Sequence, residues 1–284
     1  MSGFSAEWLA LREPFDTAAR SAALVAELRA QLSQDTEIVD LGAGAGSNLR
    51  YLAPLLGGAQ SWRLVDHDAA LLLAALATTD AWAAARGART ERRGDVLALH
   101  ARDFECELNC ERADLGAIVQ RGLPAGCLVT AAALLDLVSE KWLDTLAARC
   151  AHARARVLFA LSYDGRTVCS PTDREDALVL ELFNRHQRGD KGFGPALGPD
   201  AASAAQAALR RHGYVVHARE SDWQIDAGEH AMQLALLDGW LAAAVEIAPD
   251  KQAQLTGWHE RRRAQVAAGR SKLRVGHVDV VGWL

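Results

Sequence analysis

Ile38-Val39-Asp40-Leu41-Gly42-Ala43-Gly44-Ala45-Gly46-Ser47-Asn48-Leu49 decides the reading of this chain. An apolar run reaches a carboxylate, passes three alternate glycines and enters a leucine-bearing stretch, so a buried strand is expected to turn sharply into a helix here. Glycine permits such a turn and lets a ligand approach the backbone with no Cβ in the way. The helix that follows offers unpaired N–H groups and the positive end of its dipole. A nucleotide-like ligand is expected at this turn.

The glycine spacing separates two classes of ligand. A dinucleotide fingerprint reads G-x-G-x-x-G, with the pyrophosphate on the helix N-terminus. Here the run is G-x-G-x-G, and Asp40 sits two residues before the first glycine, where a carboxylate would repel a pyrophosphate and could pair with an ammonium group. Position for position, Asp40-x-Gly42-x-Gly44-x-Gly46 resembles the first motif of the class I S-adenosylmethionine (SAM) dependent methyltransferases. The resemblance implies that Asp40 lies close to the methionine amino end of SAM. It also implies that Gly42, Gly44 and Gly46 pass beneath the methionine and ribose, with Ala43 and Asn48 in the same cofactor site.

Ser61-Trp62-Arg63-Leu64-Val65 reads as a second apolar strand ending at Asp66-His67-Asp68. That is about twenty residues past the glycine turn, where a ribose-binding acid is expected. Asp66 matches the acidic position of the family's second motif, which implies that it accepts hydrogen bonds from both ribose hydroxyls. His67 then lies beside the adenine, and Asp68 is a candidate helix N-cap.

Three further matches are looser. Asp114 and Leu115, in Glu111-Arg112-Ala113-Asp114-Leu115, lie where family members place an acid near the adenine amino group, although an aspartate there could equally cap a helix. The run Leu128 to Ser139 resembles the fourth strand and following loop of small-molecule methyltransferases, which implies that Ala131 and Ala132 border the sulfonium and that Asp136 faces the acceptor or starts a helix. The N-terminal stretch Trp8 to Arg20 resembles a helix that precedes the core in some bacterial members. There Arg20 could hold the methionine carboxylate through a bidentate guanidinium contact.

Along the chain, strand-like runs near 37–41, 61–65, 105–111, 126–131 and 156–162 alternate with helical stretches near 48–56, 68–86, 114–122 and 139–151. Such alternation predicts an α/β, Rossmann-like, doubly wound sheet with helices on both faces, with ligands beyond the carboxyl ends of the strands. A helix over about Glu13 to Leu32 precedes it, with Pro14 in its first turn. Later come a helix near 200–212, a strand from Tyr214, helices near 228–247 and 250–268, and a final strand from Leu273 to Trp283. The family resemblance implies seven mostly parallel strands, the last antiparallel and paired with the sixth. The chain is read as a single domain over 1–284, with an N-terminal helical segment at 1–33 and substrate-cap insertions at 163–200 and 223–270. Trp223, Trp240 and Trp258 lie in the second insertion, whose helices could cap a substrate pocket, form a homodimer face, or only fill a core.

Acceptor chemistry is less legible, because methyl transfer asks the protein mainly to align a nucleophile and, where needed, to take a proton. The richest polar cluster outside the cofactor motifs runs from Asn184 to Gly194. His186 is the candidate general base, since an imidazole titrates near working pH. Tyr163, Asp164, Lys191 and Phe193 are candidates for orienting the acceptor. The absence of an Asn-Pro-Pro-Tyr type motif argues against a DNA adenine or protein glutamine substrate.

The 284 residues, 50% hydrophobic, are enough for a full core. A net charge of −5 argues against a nucleic-acid partner, and Arg261-Arg262-Arg263 reads as a solvated helix face. The five cysteines are scattered, with no C-x-x-C pair, which points to reduced thiols and to no metal site. No signal peptide or apolar run long enough for a membrane span is found, so a cytoplasmic enzyme is expected. The reading is a SAM-dependent methyltransferase acting on an oxygen or nitrogen of a small molecule. A nicotinamide-dependent Rossmann oxidoreductase and a non-catalytic SAM-binding protein remain as alternatives.

Overall fold

The computed structural model describes residues 4–33, 35–94, 96–118 and 122–284. In chain order the helices are α1 (Ala6–Ala19), α2 (Ala22–Arg29), α3 (Ser47–Leu56), α4 (Ala69–Ala85), α5 (Leu115–Ile118), α6 (Glu140–His152), α7 (Asp176–Gln187), α8 (Ala201–Arg211), α9 (His230–Ile247) and α10 (Gln252–Ala267). The strands are β1 (Asp35–Leu41), β2 (Gly58–Asp66), β3 (Arg89–Arg93), β4 (Val96–His100), β5 (Phe104–Arg112), β6 (Leu128–Ala132), β7 (Arg156–Ser170), β8 (Val215–Glu220), β9 (Trp223–Ile225) and β10 (Lys272–Trp283).

The sheet runs β3-β4-β5-β2-β1-β6-β7-β10-β8, with β9 added to β10. Strands β5, β2, β1, β6 and β7 are mutually parallel, and β10 lies antiparallel between β7 and β8. The strand order reverses beside β1, which places the ligand crevice at the carboxyl ends of β1, β2 and β6. The expected seven strands are all present, and the last pairs with the sixth as expected. It also inserts between the fifth and the sixth.

The central strands are apolar because helices cover both faces. Ile38, Val39 and Leu41 are at most 1% exposed, and full burial of such side chains is worth about 1.5–3 kcal/mol each. One core lies beneath α6 and α8, and a second beneath α2, α3 and α4.

A third core joins the two segments expected to form a cap. β7 pairs with β6 only over Arg156 to Ala160 and continues with β10 as far as Ser170. The segment 163–170, at the start of the first expected cap insertion, is thus strand. Against this extension pack α7, α9 and α10, whose core includes Tyr163, Trp240, Trp258 and Leu237. Arg262 is fully buried there and joins α10 to α7, pairing with Asp176, which also accepts from Trp258 Nε1 at 2.9 Å. The basic run is therefore not a solvated face at its middle residue.

Three elements differ from the sequence reading in extent or existence. The first helix begins at Ala6, because the Ser5 side chain accepts from the Trp8 N–H and caps it. Pro14 consequently sits inside α1, and the helical segment breaks between Ala19 and Ala22, where Ser21 caps α2. A β3–β4 hairpin edges the sheet in a stretch with no expected strand. The expected helix near 114–122 is helical over Leu115–Ile118, and residues 119–121 lie outside those described. No helix among the described residues is long and apolar enough to cross a membrane.

Candidate active site

Two cavities adjoin at the carboxyl ends of the strands. The smaller, about 260 Å³, is lined by the glycine turn, by Asp66 and His67 after β2, by Asp114 and Leu115 after β5, and by Ala132 to Leu134 after β6. The larger, about 870 Å³, lies between these strand ends and the cap. Phe4, Arg12, Ala133, Leu137 and Gly192 line both.

The glycine turn is tied to the strand beside it. Gly42 and Ala43 both donate their N–H to the Val65 carbonyl, at 2.9 and 3.0 Å, and Gly44 N–H donates to Asp66 Oδ2 at 2.8 Å. Gly44 has φ +51°, and a Cβ there would come within 3.1 Å of Leu9 Cδ1 on α1. α1 therefore crosses directly over the turn, and any side chain at Gly44 would occupy the space between them.

Asp66 is 6% exposed and also accepts from Asp68 N–H at 3.0 Å, with His67 Nδ1 at 3.2 Å. Asp68 caps α4 through Ala70 and Leu71, as expected. Asp114 accepts from Gly116 N–H at 2.6 Å at the start of α5 and also lines the cavity. Gly42, Ala43, Gly44, Asn48, Asp66, His67, Asp114 and Leu115 thus share one cavity wall.

Four expected cofactor residues lie elsewhere. Asp40 is fully buried behind the turn and lines neither cavity. Its Oδ1 accepts from Asn48 Nδ2 at 2.7 Å, and Asn48 Nδ2 also reaches Thr130 Oγ1 at 3.1 Å. Burial pushes the Asp40 carboxyl up to about 7, against the pull of the Asn48 hydrogen bond and of Arg20. Arg20, expected at a cofactor carboxylate, is 7% exposed, donates to Asn48 Oδ1 at 2.8 Å and stacks over Tyr51. Gly46, with φ +80°, forms the N-terminal junction of α3 against Ala75, Arg50 and Thr79. Ala131 points into the core, and Ala132 and Ala133 line the cavity in its place.

Arg12, not Arg20, is the arginine at the cavities. Its guanidinium forms a two-point contact with Asp16, at 3.0 and 3.1 Å, and covers the Trp223 ring at 4.9 Å. Trp223 Nε1 donates to the same Asp16 at 3.0 Å. The signal in the sequence was the Arg12/Asp16 spacing of four on one helix, which places the pair on one face.

Asp136, Tyr163, Lys191 and His186 line the larger cavity. Phe193 lines the smaller one and packs edge-on against Trp142. Asp164 lines neither, because it is held by Arg166, which also pairs with Asp222. His186 lies between Lys191, at 3.4 Å from Nδ1, and Glu246, at 3.4 Å from Nε2, so both ring nitrogens already face a partner.

Asp136 and His277 have the more unusual settings. Asp136 is 8% exposed, and its Oδ1 has no hydrogen-bond partner among the described residues. Burial raises its carboxyl to about 6. His277, missed in the sequence, is buried, with Nδ1 3.1 Å from the Val275 carbonyl and its ring 4.6 Å from Trp223. Burial and the nearby Arg12 charge push it down to about 3, so it is neutral at working pH. Its Nδ1 then carries the proton toward Val275, and Nε2 keeps an acceptor lone pair. Trp223 and Trp240 also line this cavity, whereas Trp258 belongs to the cap core.

The seam between the cavities is conformationally costly. Ala133 has φ +51°, and Leu161 in β7 has φ +56°. Asp279 Oδ1 holds Leu161 by accepting its N–H at 2.8 Å, and Ala133 N–H donates to the Ala160 carbonyl at 2.9 Å. Non-glycine residues in this region cost on the order of 1–3 kcal/mol and cluster at functional sites.

All five cysteines are free, and burial raises the thiols of Cys106, Cys127, Cys150 and Cys169. No group of three or more metal-ligating side chains occurs among the described residues.

The strand order and the antiparallel β10 make the α/β, Rossmann-like sheet that the sequence resemblance implies. No family model matches the chain, and no curated protein matches it. Among solved structures the chain is similar to a phosphoethanolamine N-methyltransferase from Haemonchus contortus, at 11% identity and TM-score 0.45, covering 100% of this chain and 58% of that one. It is similar to a cyclopropane synthase from Mycobacterium tuberculosis, at 10% identity and TM-score 0.43, covering 92% and 83%. It is also similar to a geranyl diphosphate C-methyltransferase from Streptomyces coelicolor, at 12% identity and TM-score 0.42, covering 92% and 76%. Likenesses this distant leave function to the geometry of the site.

Proposed function

We propose that the chain transfers a methyl group from SAM to a nitrogen or oxygen of a small molecule. The observation that carries this reading is the charge and placement of the two adjoining cavities. The smaller presents carboxylates from Asp16, Asp66 and Asp114, with one guanidinium, Arg12, already paired to Asp16. Such a wall disfavours a pyrophosphate and suits an adenosyl ligand bearing cationic groups. Asp40 adds nothing to this wall, because its burial keeps it off the cavity.

The residues present fit that ligand. The Gly44 cradle under α1 has room only while no Cβ fills it, and Asp66 stands at the strand end where ribose hydroxyls are held in this fold. SAM, when bound, supplies an electrophilic methyl group on a sulfonium. The protein's own work is to hold the acceptor on the far side of the Ala133 and Leu137 seam, to exclude water with α1 and the cap, and to receive a proton. Alignment of this kind is the main catalytic resource for a displacement.

Incubation of the protein with SAM and a panel of small amines, phenols and alcohols, reading S-adenosylhomocysteine (SAH) release, tests the activity. Acceptor-dependent release that is lost in Asp66→Ala supports it. SAH binding without release on any acceptor class favours the non-catalytic alternative.

A further inference from the structure

We propose that the larger cavity takes its acceptor through a protonated amine paired with Asp136, which makes nitrogen the methylated atom. The inference rests on the methyltransferase reading and narrows its acceptor.

Asp136 is the cavity's buried carboxylate without an ion pair among the described residues, with the charges of Arg12 and Lys191 acting on it from a distance. It follows Ala133 in the turn after β6, two residues beyond Leu134, so it lies next to the seam with the smaller cavity. More than nine-tenths of it is buried, Oδ1 meets no donor, and it forms no ion pair among the described residues. A buried carboxylate left unpaired is costly unless a charged partner arrives. Burial accordingly drives its carboxyl upward.

Most other ionisable groups on the wall already have partners, and Lys191 meets the His186 ring but no carboxylate within ion-pair distance among the described residues. Arg12 is committed to Asp16. Asp190 Oδ1 accepts from Gly192 and Gly194 N–H at 2.7 and 3.1 Å, which shapes its own loop. Lys191 and Glu246 flank His186, and His277 is neutral. An anionic acceptor would find Lys191 beside the His186 ring but no unpaired guanidinium fork, whereas a cation finds the buried carboxylate of Asp136.

The surrounding surface agrees with a cation on an apolar body. Trp8, Tyr163, Phe183, Trp223 and Trp240 present aromatic rings to this cavity, and aromatic faces attract ammonium groups. Arg12 over Trp223 shows one such face already used in this way. On α9, Ala235, Gly239 and Ala243 lie one turn apart on the same wall, which leaves room for a ring or chain beside the helix. An ammonium at Asp136 donates N–H to Oδ1. Passage of that proton breaks the N–H bond and forms O–H on the carboxyl; rotation about the C–N bond then turns the nitrogen lone pair from Oδ1 to the seam, where an N–C bond would form as the donor's S–C bond breaks and SAH leaves.

The test uses the full chain saturated with SAH and two ring sizes of probe: 2-phenylethylamine, 2-phenylethanol and 3-phenylpropionate, then tryptamine, tryptophol and indole-3-propionate. Affinity is read by titration calorimetry and by quenching of tryptophan fluorescence, in the wild type and in Asp136→Asn. The amine of at least one set is expected to bind ten times or more tighter than its alcohol and acid. Asp136→Asn is expected to remove that preference while SAH affinity stays unchanged, which also shows that the variant is folded. Absent amine binding, a preference for the acid or alcohol, or an amine preference that survives in Asp136→Asn overturns the inference while leaving the cofactor reading standing. Failure of SAH itself to bind sinks the cofactor reading instead, and the inference with it.

Discussion

Gly44 N–H donates to Asp66 Oδ2 at 2.8 Å, so the glycine turn after β1 and the acid at the end of β2 are locked into one wall. The two motifs, separate in the sequence, are in this way a single device. The acid that faces the cavity also fixes the backbone that faces it.

Asp66→Ala removes both functions. The expected result is a loss of SAH affinity of at least tenfold, about 1.4 kcal/mol, measured by calorimetry. Asp66→Asn, which can still accept from Gly44 through its amide oxygen, is expected to lose less.

Gly44→Ala places a Cβ 3.1 Å from Leu9 Cδ1 at φ +51°. The left-handed conformation alone costs roughly 1–2 kcal/mol in urea unfolding, and SAH affinity is expected to fall as well. Adding Leu9→Ala relieves the contact and not the backbone cost, so the double variant is expected to regain part of the stability. Simple additivity of the two losses would show that the residues do not meet.

Asp40 supplies a pH signature. Its folded value of about 7 lies above the ordinary 3.8, so between about 4 and 7 the native state binds more protons than the unfolded chain, and stability from this group falls as pH rises. Asp40→Asn cannot ionise. The stability of the variant minus that of the wild type is expected to grow from pH 4.5 to pH 8 in urea titrations. A difference that stays flat would mean that Asp40 does not titrate in this window.

His277 has the opposite sign. Its folded value of about 3 lies below the ordinary 6.5, so it takes no proton in the native state as pH falls through 6.5, while the unfolded chain does. Its ring resonances in proton NMR are expected to stay constant from pH 8 to pH 5. Substitution to Gln is expected to lessen the loss of stability over that same window.

Most of the sheet was legible because a parallel strand covered on both faces reads as an apolar run, as in Ile38 to Leu41 and Leu128 to Ala131. The β3–β4 edge was not, because Arg89-Thr90-Glu91-Arg92-Arg93 carries the charges an edge strand tolerates and so looks like a loop. The extension of β7 was hidden for a related reason. Past Ala160 its partner is β10 alone, far along the chain, and Thr167 to Ser170 pair with it without an apolar run of their own. At the site, Asp66 could be placed from its position at a strand end. Asp40 could not, since its burial depends on Asn48 and Arg20 folding back over it. Arg12 and His277 reach the cavities from the two ends of the chain, and local spacing does not encode that meeting.

The cap carries a stability prediction. Asp176→Ala leaves fully buried Arg262 without its carboxylate. Removing one partner of a buried pair costs roughly 3–5 kcal/mol, at the upper end only if the remaining Pro171 carbonyl and Gln265 contacts fail to hold the charge. Urea unfolding is expected to show that loss. SAH affinity is expected to survive it, because the smaller cavity lies outside the cap.

The smaller cavity is proposed to take an adenosyl sulfonium and not a nicotinamide dinucleotide. Calorimetric titration of the purified chain with SAM, SAH and NADH, repeated on Asp66→Ala, tests it most directly. The account predicts micromolar binding of SAM and SAH that Asp66→Ala weakens at least tenfold, with no binding of NADH. Binding of NADH alone would contradict it.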